Sequence, residues 1–473
     1  MATALLIDFG STYTKLRAVD LGASRVLATA QGPSTVTTNV TIGLDLALTA
    51  LREKIGNISF THRLASSSAA GGLRMVTIGL VKELTAEAAR QAALGAGAKL
   101  VGAFSYRLTA QDLSTVESLA PDIVLLAGGT NGGNTEVARH NGRRLAASHL
   151  SCPVIVACNR DVAEDVTAEL LVSGKPAILT ENVMPAFGEL NIDPAREAIR
   201  NIFIARIVQA KGIDRAAAQF DAVLMPTPAA VMEGARLLSQ GTRRHEGFGD
   251  LVVVDIGGAT TDVHSVAVGA PRRSGVVQYG LPEPFVKRTV EGDLGMRHNA
   301  RAIAETAGFA VFAKRAGRPE DALNTSLDAI EADVEHLPEN AEDIALDEAL
   351  AWTAVRIAAS RHAGTSEIVQ TVHGPVTMQR GKDLSDVSTV IGTGGPLAHG
   401  ATPASVLKAV LADPNDPFSL RPENPTLLID ADYLLYAGGL LSAIDPEAAF
   451  SLAKTSLRPL EERDAHDRRN RIT

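Results

Sequence analysis

LVVVDIGGATTDVHS, residues 251–265, runs from four apolar residues into an acid, Asp255, a turn of small residues and a second acid, Asp262. An unbroken apolar run that ends in small residues predicts a buried strand followed by a tight turn. Glycine lets the backbone turn sharply and come close to a ligand. The exposed N–H groups and hydroxyls of such a turn suit phosphate oxygens. Asp255, at the strand end, suits a hard cation such as Mg2+ held through water. The same residues also fit an ordinary β-hairpin with a surface aspartate.

The N-terminus repeats the pattern. In LLIDFGSTYTK, residues 5–15, aligning Asp8 with Asp255 also aligns Gly10 with Gly257 and Thr14 with Thr261. Two such hairpins about half a chain apart predict two related domains, each offering a turn to one phosphate chain and a carboxylate to one metal. Lys15 ends the first hairpin with a positive charge. It suits the β and γ phosphates as a point charge, and a solvated strand-end lysine is the other reading.

The 473 residues call for two or more domains, and a hydrophobic content of 45% is enough for substantial cores. A net charge of −9 argues against general nucleic-acid binding. No apolar run approaches the ~18 residues of a membrane span. The N-terminus has no basic region, and Asp8 interrupts its first apolar run, unlike a signal peptide. A soluble cytoplasmic protein with no membrane or nucleic-acid partner is expected. Cys152 and Cys158 share one predicted strand, and at ~3.3 Å per residue they sit roughly 20 Å apart. That is too far for a disulfide, so buried thiols are expected.

Along the chain, residues 28–41 read as polar and turn-rich, 42–54 as a helix and 66–72 as a flexible connection. Residues 71–109 read as strand, helix from Thr85, and strand. PDIVLLAGGTNGGN, residues 121–134, is a strand and a glycine turn before a helix, without GxGxxG or GK[ST]. That turn fits an anion contact or a plain crossover equally. Residues 152–158 form another strand, and a helix from about Pro194 carries Ile199, Phe203, Ile207 and Val208 on one face, for core packing or a partner. Residues 220–241 read as strand, proline turn and a small-residue helix, and 288–300 as a loop grouping Glu291, Asp293, Arg297 and His298. Acidic helices fill 301–362. In 388–400, Gly392, Gly394 and Gly395 leave room for a flat base or ribose against the backbone. Gly438 and Gly439 sit in mid-helix, where each costs roughly 1 kcal/mol relative to alanine; close packing or a ligand would explain them. The charged stretch 459–473 lacks periodicity and is expected to be disordered. No histidine spacing makes a zinc site.

Taken in order, DFGSTYTK, MPTPAAVMEGA, DIGGATTD, IGTGGP and YLLYAGGLLSA resemble the five nucleotide-site motifs of the actin–Hsp70–sugar kinase superfamily of ATPases. The resemblance implies an α/β protein with two actin/Hsp70-like (ribonuclease H-like) domains around a cleft that closes on ATP and Mg2+. The lobes would be residues 1–240, with an insertion, and 241–458, ahead of the tail 459–473. By the same resemblance Asp8 and Asp255 hold Mg2+ through water, and Gly10, Ser11, Thr12, Gly257, Gly258, Ala259, Thr260 and Thr261 donate to phosphates. Asp262 is the second acid of its motif and Lys15 balances charge. Gly392, Gly394 and Gly395 hold the adenosine, with Gly438 and Gly439 in the second connecting helix.

More narrowly, GLRMVTIGLVKELTAEAARQAALGAGAKLV, DIVLLAGGTNGGN, NVMPAFGELN, VDIGGATTDVHSV and RTVEGDLGMR resemble the glutamate mutase accessory family. That family is called MutL or GlmL and is unrelated to the mismatch-repair protein of that name. It accompanies adenosylcobalamin-dependent carbon-skeleton or amino mutases. The resemblance implies ATP-driven maintenance of the mutase, releasing damaged cobalamin so that intact coenzyme enters. One departure stands out: where Hsp70-like members carry a water-orienting glutamate, this chain has Thr227. Threonine positions water weakly and is no general base, which points to slow hydrolysis or to an acid elsewhere, such as Glu291. Two rival readings are a small-molecule kinase, for which no substrate pocket with an Asp base is located, and a nucleotide-binding assembly protein without turnover.

Overall fold

Each apolar run that ends in an acid and a glycine turn is the central strand of a sheet in the computed structural model. It describes residues 2–10, 13–33, 40–67, 73–210, 224–272, 274–334, 338 and 340–460. The chain divides into two units, Met1–Ala230 with Gly280–Pro284, and Val231–Tyr279 with Phe285–Thr473. The division falls inside the helix Thr227–Gln240, whereas the motif order put it at that helix's end.

In unit 1, β1 (Thr3–Phe9) is buried along its whole length. It pairs antiparallel with β2 (Tyr13–Asp20), which pairs antiparallel with β3 (Arg25–Pro33). On its other side β1 runs parallel to β4 (His62–Ser67). Leu5, Ile7 and Phe9 alternate onto one face of β1, where they pack with Leu44, Ala47 and Leu51 of the helix Val40–Ile55. The chain then builds an inserted sheet from β5 (Arg74–Gly79), β6 (Lys99–Ser105), β7 (Ile123–Gly128), β8 (Val154–Cys158) and β9 (Ala177–Leu179). These strands are all parallel, in the order β6-β5-β7-β8-β9. Counted within the insertion that is 2-1-3-4-5, the flavodoxin-like doubly wound order, and apolar cores cover both faces. The continuous Val, Ile and Leu runs of β7 and β8 follow from that two-sided burial. The chain returns to the first sheet as β10 (Leu224–Pro226), parallel to β4.

Unit 2 repeats the plan. β11 (Leu251–Ile256) pairs antiparallel with β12 (Thr261–Val266). A short strand, β13 (Val277–Tyr279), precedes β14 (Val286–Glu291), which extends the sheet antiparallel to β12. Four helices, Ala300–Ala307, Phe309–Ala316, Glu320–Ala332 and Ala341–His362, follow. The hairpin β15 (Thr365–Thr371) and β16 (Gly374–Arg380) joins β13 in a separate three-stranded sheet. β17 (Thr389–Thr393) and β18 (Thr426–Asp430) then run parallel beside β11, and β19 (Leu457–Pro459) closes the edge. The two orders, β3-β2-β1-β4-β10 and β14-β12-β11-β17-β18, match strand for strand in direction. This is the ribonuclease H-like sheet of actin-like domains, present twice. In unit 2, Leu346, Leu350, Ala354 and Ala358 recur at helical spacing and bury against Val252, Val254 and Ile256.

Several segments differ from the sequence reading. Residues 28–33 are strand rather than turn, because β3 is mostly part-exposed and carries no clean apolar alternation. Ser66 and Ser67 belong to β4 rather than to a flexible connection, and residues 68–72 lie outside the described residues. Residues 288–291 are the end of β14, not loop. Pro459 ends β19 and Leu460 N–H donates to Leu427 O, so these two residues of the expected tail are part of the sheet; residues 461–473 lie outside the described residues. Ile199 and Phe203 are core residues, and the side chains of Ile207 and Val208 lie outside the described ones. Cys152 and Cys158 are buried thiols outside any disulfide, and burial pushes the Cys158 thiol up to about 12.

Candidate functional site

The two hairpins share one register. Asp8 lies opposite Lys15 and Phe9 opposite Thr14; Asp255 lies opposite Asp262 and Ile256 opposite Thr261. Both turns close with the same bond at the same distance: Gly10 N–H donates to Tyr13 O at 2.9 Å, and Gly257 N–H to Thr260 O at 2.9 Å. A Cβ on Gly10 would lie 2.6 Å from Tyr13 O, so that turn requires glycine. Ser11 and Thr12 lie outside the described residues.

Asp8 is 2% exposed at the end of β1, beside Ser66 of β4. Its Oδ1 accepts from Thr227 Oγ1 at 2.7 Å and from Ser66 Oγ at 3.2 Å. Burial pushes the Asp8 carboxyl above its ordinary value, and the Thr227 hydroxyl, Lys15, Arg17 and Ser66 pull against it. Ser66 is the residue the sequence did not single out. Nothing around it in HRLASS marks a function; only pairing with β1, 58 residues away, brings it to Asp8. Thr227 opens the helix Thr227–Gln240 and is buried. Its hydroxyl hydrogen is directed at Asp8.

Asp255 is half-buried at the end of β11, between Asp262 on β12 and Thr393 on β17. Asp262 is committed to the sheet: its Oδ1 takes Arg288 Nη2 at 2.8 Å and its Oδ2 takes Thr260 Oγ1 at 3.0 Å. Thr393 Oγ1 donates to Asp430 Oδ2 at 3.1 Å. Asp430, fully buried at the end of β18, also accepts the N–H groups of Leu434 and Leu435 at 2.8 and 3.0 Å and the Ser456 hydroxyl.

The second turn is seated on the segment after β14. Met296 N–H donates to Gly257 O at 3.1 Å, while Arg297 and His298 N–H donate to Gly258 O at 2.9 and 3.0 Å. Asn299 Nδ2 donates to Ala259 O at 3.3 Å, and Thr261 Oγ1 donates to Leu294 O at 2.7 Å. Gly295 lies so close that a Cβ would fall 2.3 Å from Ala259 O. Three successive carbonyls, of Gly257, Gly258 and Ala259, therefore point to this segment. In a planar trans peptide the next N–H points the opposite way. The N–H groups of Gly258, Ala259 and Thr260 are thus turned outward together, the arrangement that receives phosphate oxygens.

The remaining glycines separate by what surrounds them. Gly394 has φ 97°, and a Cβ there would meet Ile256 O at 2.2 Å and Asp255 Oδ1 at 3.0 Å, so the loop passes tightly against β11. Gly395 has open space beside it. Gly392 faces the core, where a Cβ would meet Leu397, Ile429 and Leu407 side chains at 2.9–3.1 Å; its vacancy is filled by methyl groups. Gly438 packs against Ala453, with 2.9 Å left for a Cβ, and Gly439 is buried in the same helix, Leu435–Leu441; close helix packing explains Gly438. Glu291 sits opposite Thr261 at the end of β14 and accepts from Arg361 at 2.7 Å. Burial holds its carboxyl above the ordinary value while Arg361 pulls it down. The glycine turn 128–134 belongs to the inserted sheet. There Asn159 Nδ2 donates to Gly133 O at 3.2 Å, and Asn182 Nδ2 to Gly129 O at 2.9 Å.

Among the described residues no group of three or more His, Cys, Asp or Glu side chains could hold a metal by itself. Mg2+ does not need one, since it keeps several waters and takes one or two carboxylates plus phosphate oxygens. Asp8 and Asp255 each end the first strand of their own sheet beside a glycine turn, and each is a carboxylate of the kind that ion takes. No described helix is long and apolar enough to cross a membrane.

A duplicated ribonuclease H-like sheet, with an acid and a glycine turn at the same place in each copy, defines a protein of the actin-like ATPase fold class. The chain belongs to the MutL protein family, whose model matches residues 4–457. It is 45% identical over 459 residues to Protein MutL of Clostridium tetanomorphum, covering 97% of this chain and 99% of that one. Among solved structures it is similar to the activator of the 2-hydroxyisocaproyl-CoA dehydratase from Clostridium difficile with bound ADPNP, at 12% identity and TM-score 0.30 over 96% of each chain. It is also similar to xylulose kinase from Lactobacillus acidophilus, at 9% identity and TM-score 0.37 over 98% of this chain and 93% of that one. At these scores the structural likenesses bear on neither ligand nor activity.

Proposed function

We propose that the protein binds ATP with Mg2+ through its two glycine turns and hydrolyses it slowly, as an accessory, reactivating factor for an adenosylcobalamin-dependent mutase. The observation that carries the nucleotide reading is the turn 257–260, whose three carbonyls are anchored on one side, which by peptide planarity turns the following N–H groups to the other. Membership of the MutL family supports the accessory role. The choice of a mutase as partner rests on the family resemblance of the sequence motifs.

In this reading the N–H groups of Gly10, Gly258, Ala259 and Thr260 border the phosphates, with Lys15 offsetting their charge; Gly10 N–H already closes its own turn, so its share is smaller. Asp8 and Asp255 would hold Mg2+, which when bound neutralises charge on the phosphate oxygens. Thr227 gives its hydroxyl hydrogen to Asp8 and so turns its lone pairs outward to accept a bond from water. It orients that water without removing a proton. Glu291, tied to Arg361, is held in place rather than free to swing. Turnover is slow for both reasons, and two nucleotide states that bind differently suffice to shift a conformational equilibrium.

Thermal unfolding with ATP and Mg2+ tests binding. At about a hundred times the dissociation constant, stability rises by ~2.7 kcal/mol, and Asp255→Asn removes that gain. Phosphate release with and without the mutase tests turnover. Binding without release would select the second reading, a nucleotide-binding assembly protein, which Thr227's lack of a base favours. No stabilisation by ATP and Mg2+ would sink both.

A further inference from the structure

We infer that the ion pair between Arg297 and Asp347 is a positioning device that sets the direction of the phosphate-binding N–H groups in the turn 257–260; the inference rests on the nucleotide reading above. Arg297 acts on the turn in two ways. Its backbone N–H donates to Gly258 O at 2.9 Å, and its side-chain stem lies against Gly258, where a Cβ would meet Arg297 Cγ at 3.4 Å. Its guanidinium then reaches away from the turn to Asp347 on the helix Ala341–His362. Nη1 donates to Oδ1 at 2.9 Å and Nη2 to Oδ2 at 2.6 Å. A two-bond fork between a planar cation and a carboxylate fixes orientation as well as distance. Both side chains are mostly shielded, at 13% and 22% exposure, so solvent screens the pair only in part.

The same helix grips the segment a second time. Arg361 donates to Asp293 at 2.8 and 2.9 Å and to Glu291 at 2.7 Å. Between these two grips lie Leu294 to Met296, which take the Thr261 hydroxyl and give an N–H to Gly257 O. The direction of the outward N–H groups is thus set from behind, by a helix that contributes to the core rather than to the turn. If the fork at Arg297 is lost, the Gly258 carbonyl keeps its partner but loses the anchor that holds that partner still. The peptide planes can then rock, and N–H groups that must converge on one set of oxygens lose that convergence. Neither Arg297 nor Asp347 touches the phosphates in this account.

The test uses the full-length protein and three ligands: ATP with Mg2+, ADP with Mg2+, and adenosine. Asp347→Asn keeps the shape and removes the charge; Arg297→Lys keeps the charge and removes the fork. The expected result is at least a tenfold loss of affinity for ATP with Mg2+ in Asp347→Asn and a smaller loss in Arg297→Lys. Adenosine affinity should stay near wild type while the ligand-free melting temperature falls by a few degrees, and Asp347→Glu should restore part of the loss. If Asp347→Asn does not fold, Arg297→Lys decides. Wild-type affinity for ATP with Mg2+ in the folded variants overturns the clamp alone, as does an equal loss for adenosine and ATP, which signals general loosening. Failure of the wild-type protein to bind ATP with Mg2+ overturns the nucleotide reading and the clamp's role with it.

Discussion

The two units share a sheet and a turn but differ in how far the first-strand acid is buried. In unit 1 the first-strand acid, Asp8, is buried, and hydroxyls come to it from Ser66 on β4 and Thr227 beyond β10. In unit 2 the first-strand acid, Asp255, is half-buried; Asp262 on β12 and Asp430 at the end of β18 are buried, and hydroxyls come to Asp430 from Thr393 on β17 and from Ser456. The second strand differs as well: Lys15 stands where unit 2 has Asp262 ion-paired to Arg288. A carboxylate that leaves water needs donors around it. The sheet offers places for them at several strand ends, so one topology satisfies the requirement in two ways. Unit 1 keeps its cation beside the turn, and unit 2 withdraws its cation into the sheet.

The comparison is most exposed at Asp262. Asp262→Ala removes the carboxylate that Arg288 Nη2 meets at 2.8 Å, and breaking a buried pair costs about 3–5 kcal/mol. Denaturant unfolding measures it; a loss under about 1 kcal/mol would mean the pair is not what holds β12 to β14. A smaller effect is expected from Thr227→Val, which removes one hydroxyl donor to Asp8 and should cost about 1–2 kcal/mol. Ser66→Ala should cost less than Thr227→Val, because its bond is longer, 3.2 Å against 2.7 Å; the reverse order would show that Ser66 is the main support of the acid. The smallest change in folding stability belongs to Lys15→Met, within about 0.5 kcal/mol, together with weaker ATP binding. A stability loss there equal to that of Asp262→Ala would erase the distinction between the units.

What could be read in the sequence was what is contiguous in it. The apolar run, the acid and the glycine turn occur within a dozen residues, so both hairpins and their alignment at Asp8 and Asp255 were legible. So were the buried strands β7 and β8, as unbroken apolar runs. The exposed strands were not: β15 and the outer part of β3 alternate too weakly to stand out from loop. Nor could IGTGGP say which glycine does what. Gly392 serves the core and Gly394 serves the approach to Asp255, a difference of strand face and φ that composition does not carry.

The amino-acid sequence on its own determined that two acid-and-glycine hairpins exist and that they are copies of one plan. These follow from local alternation and backbone permissiveness, which act over a few residues. Only the tertiary structure decided which hydroxyl stands beside which acid, that Asp262 belongs to Arg288, and that Arg297 braces the turn through Asp347. Those partners lie 26 to 219 residues apart, and strand register and helix packing, not sequence spacing, bring them together.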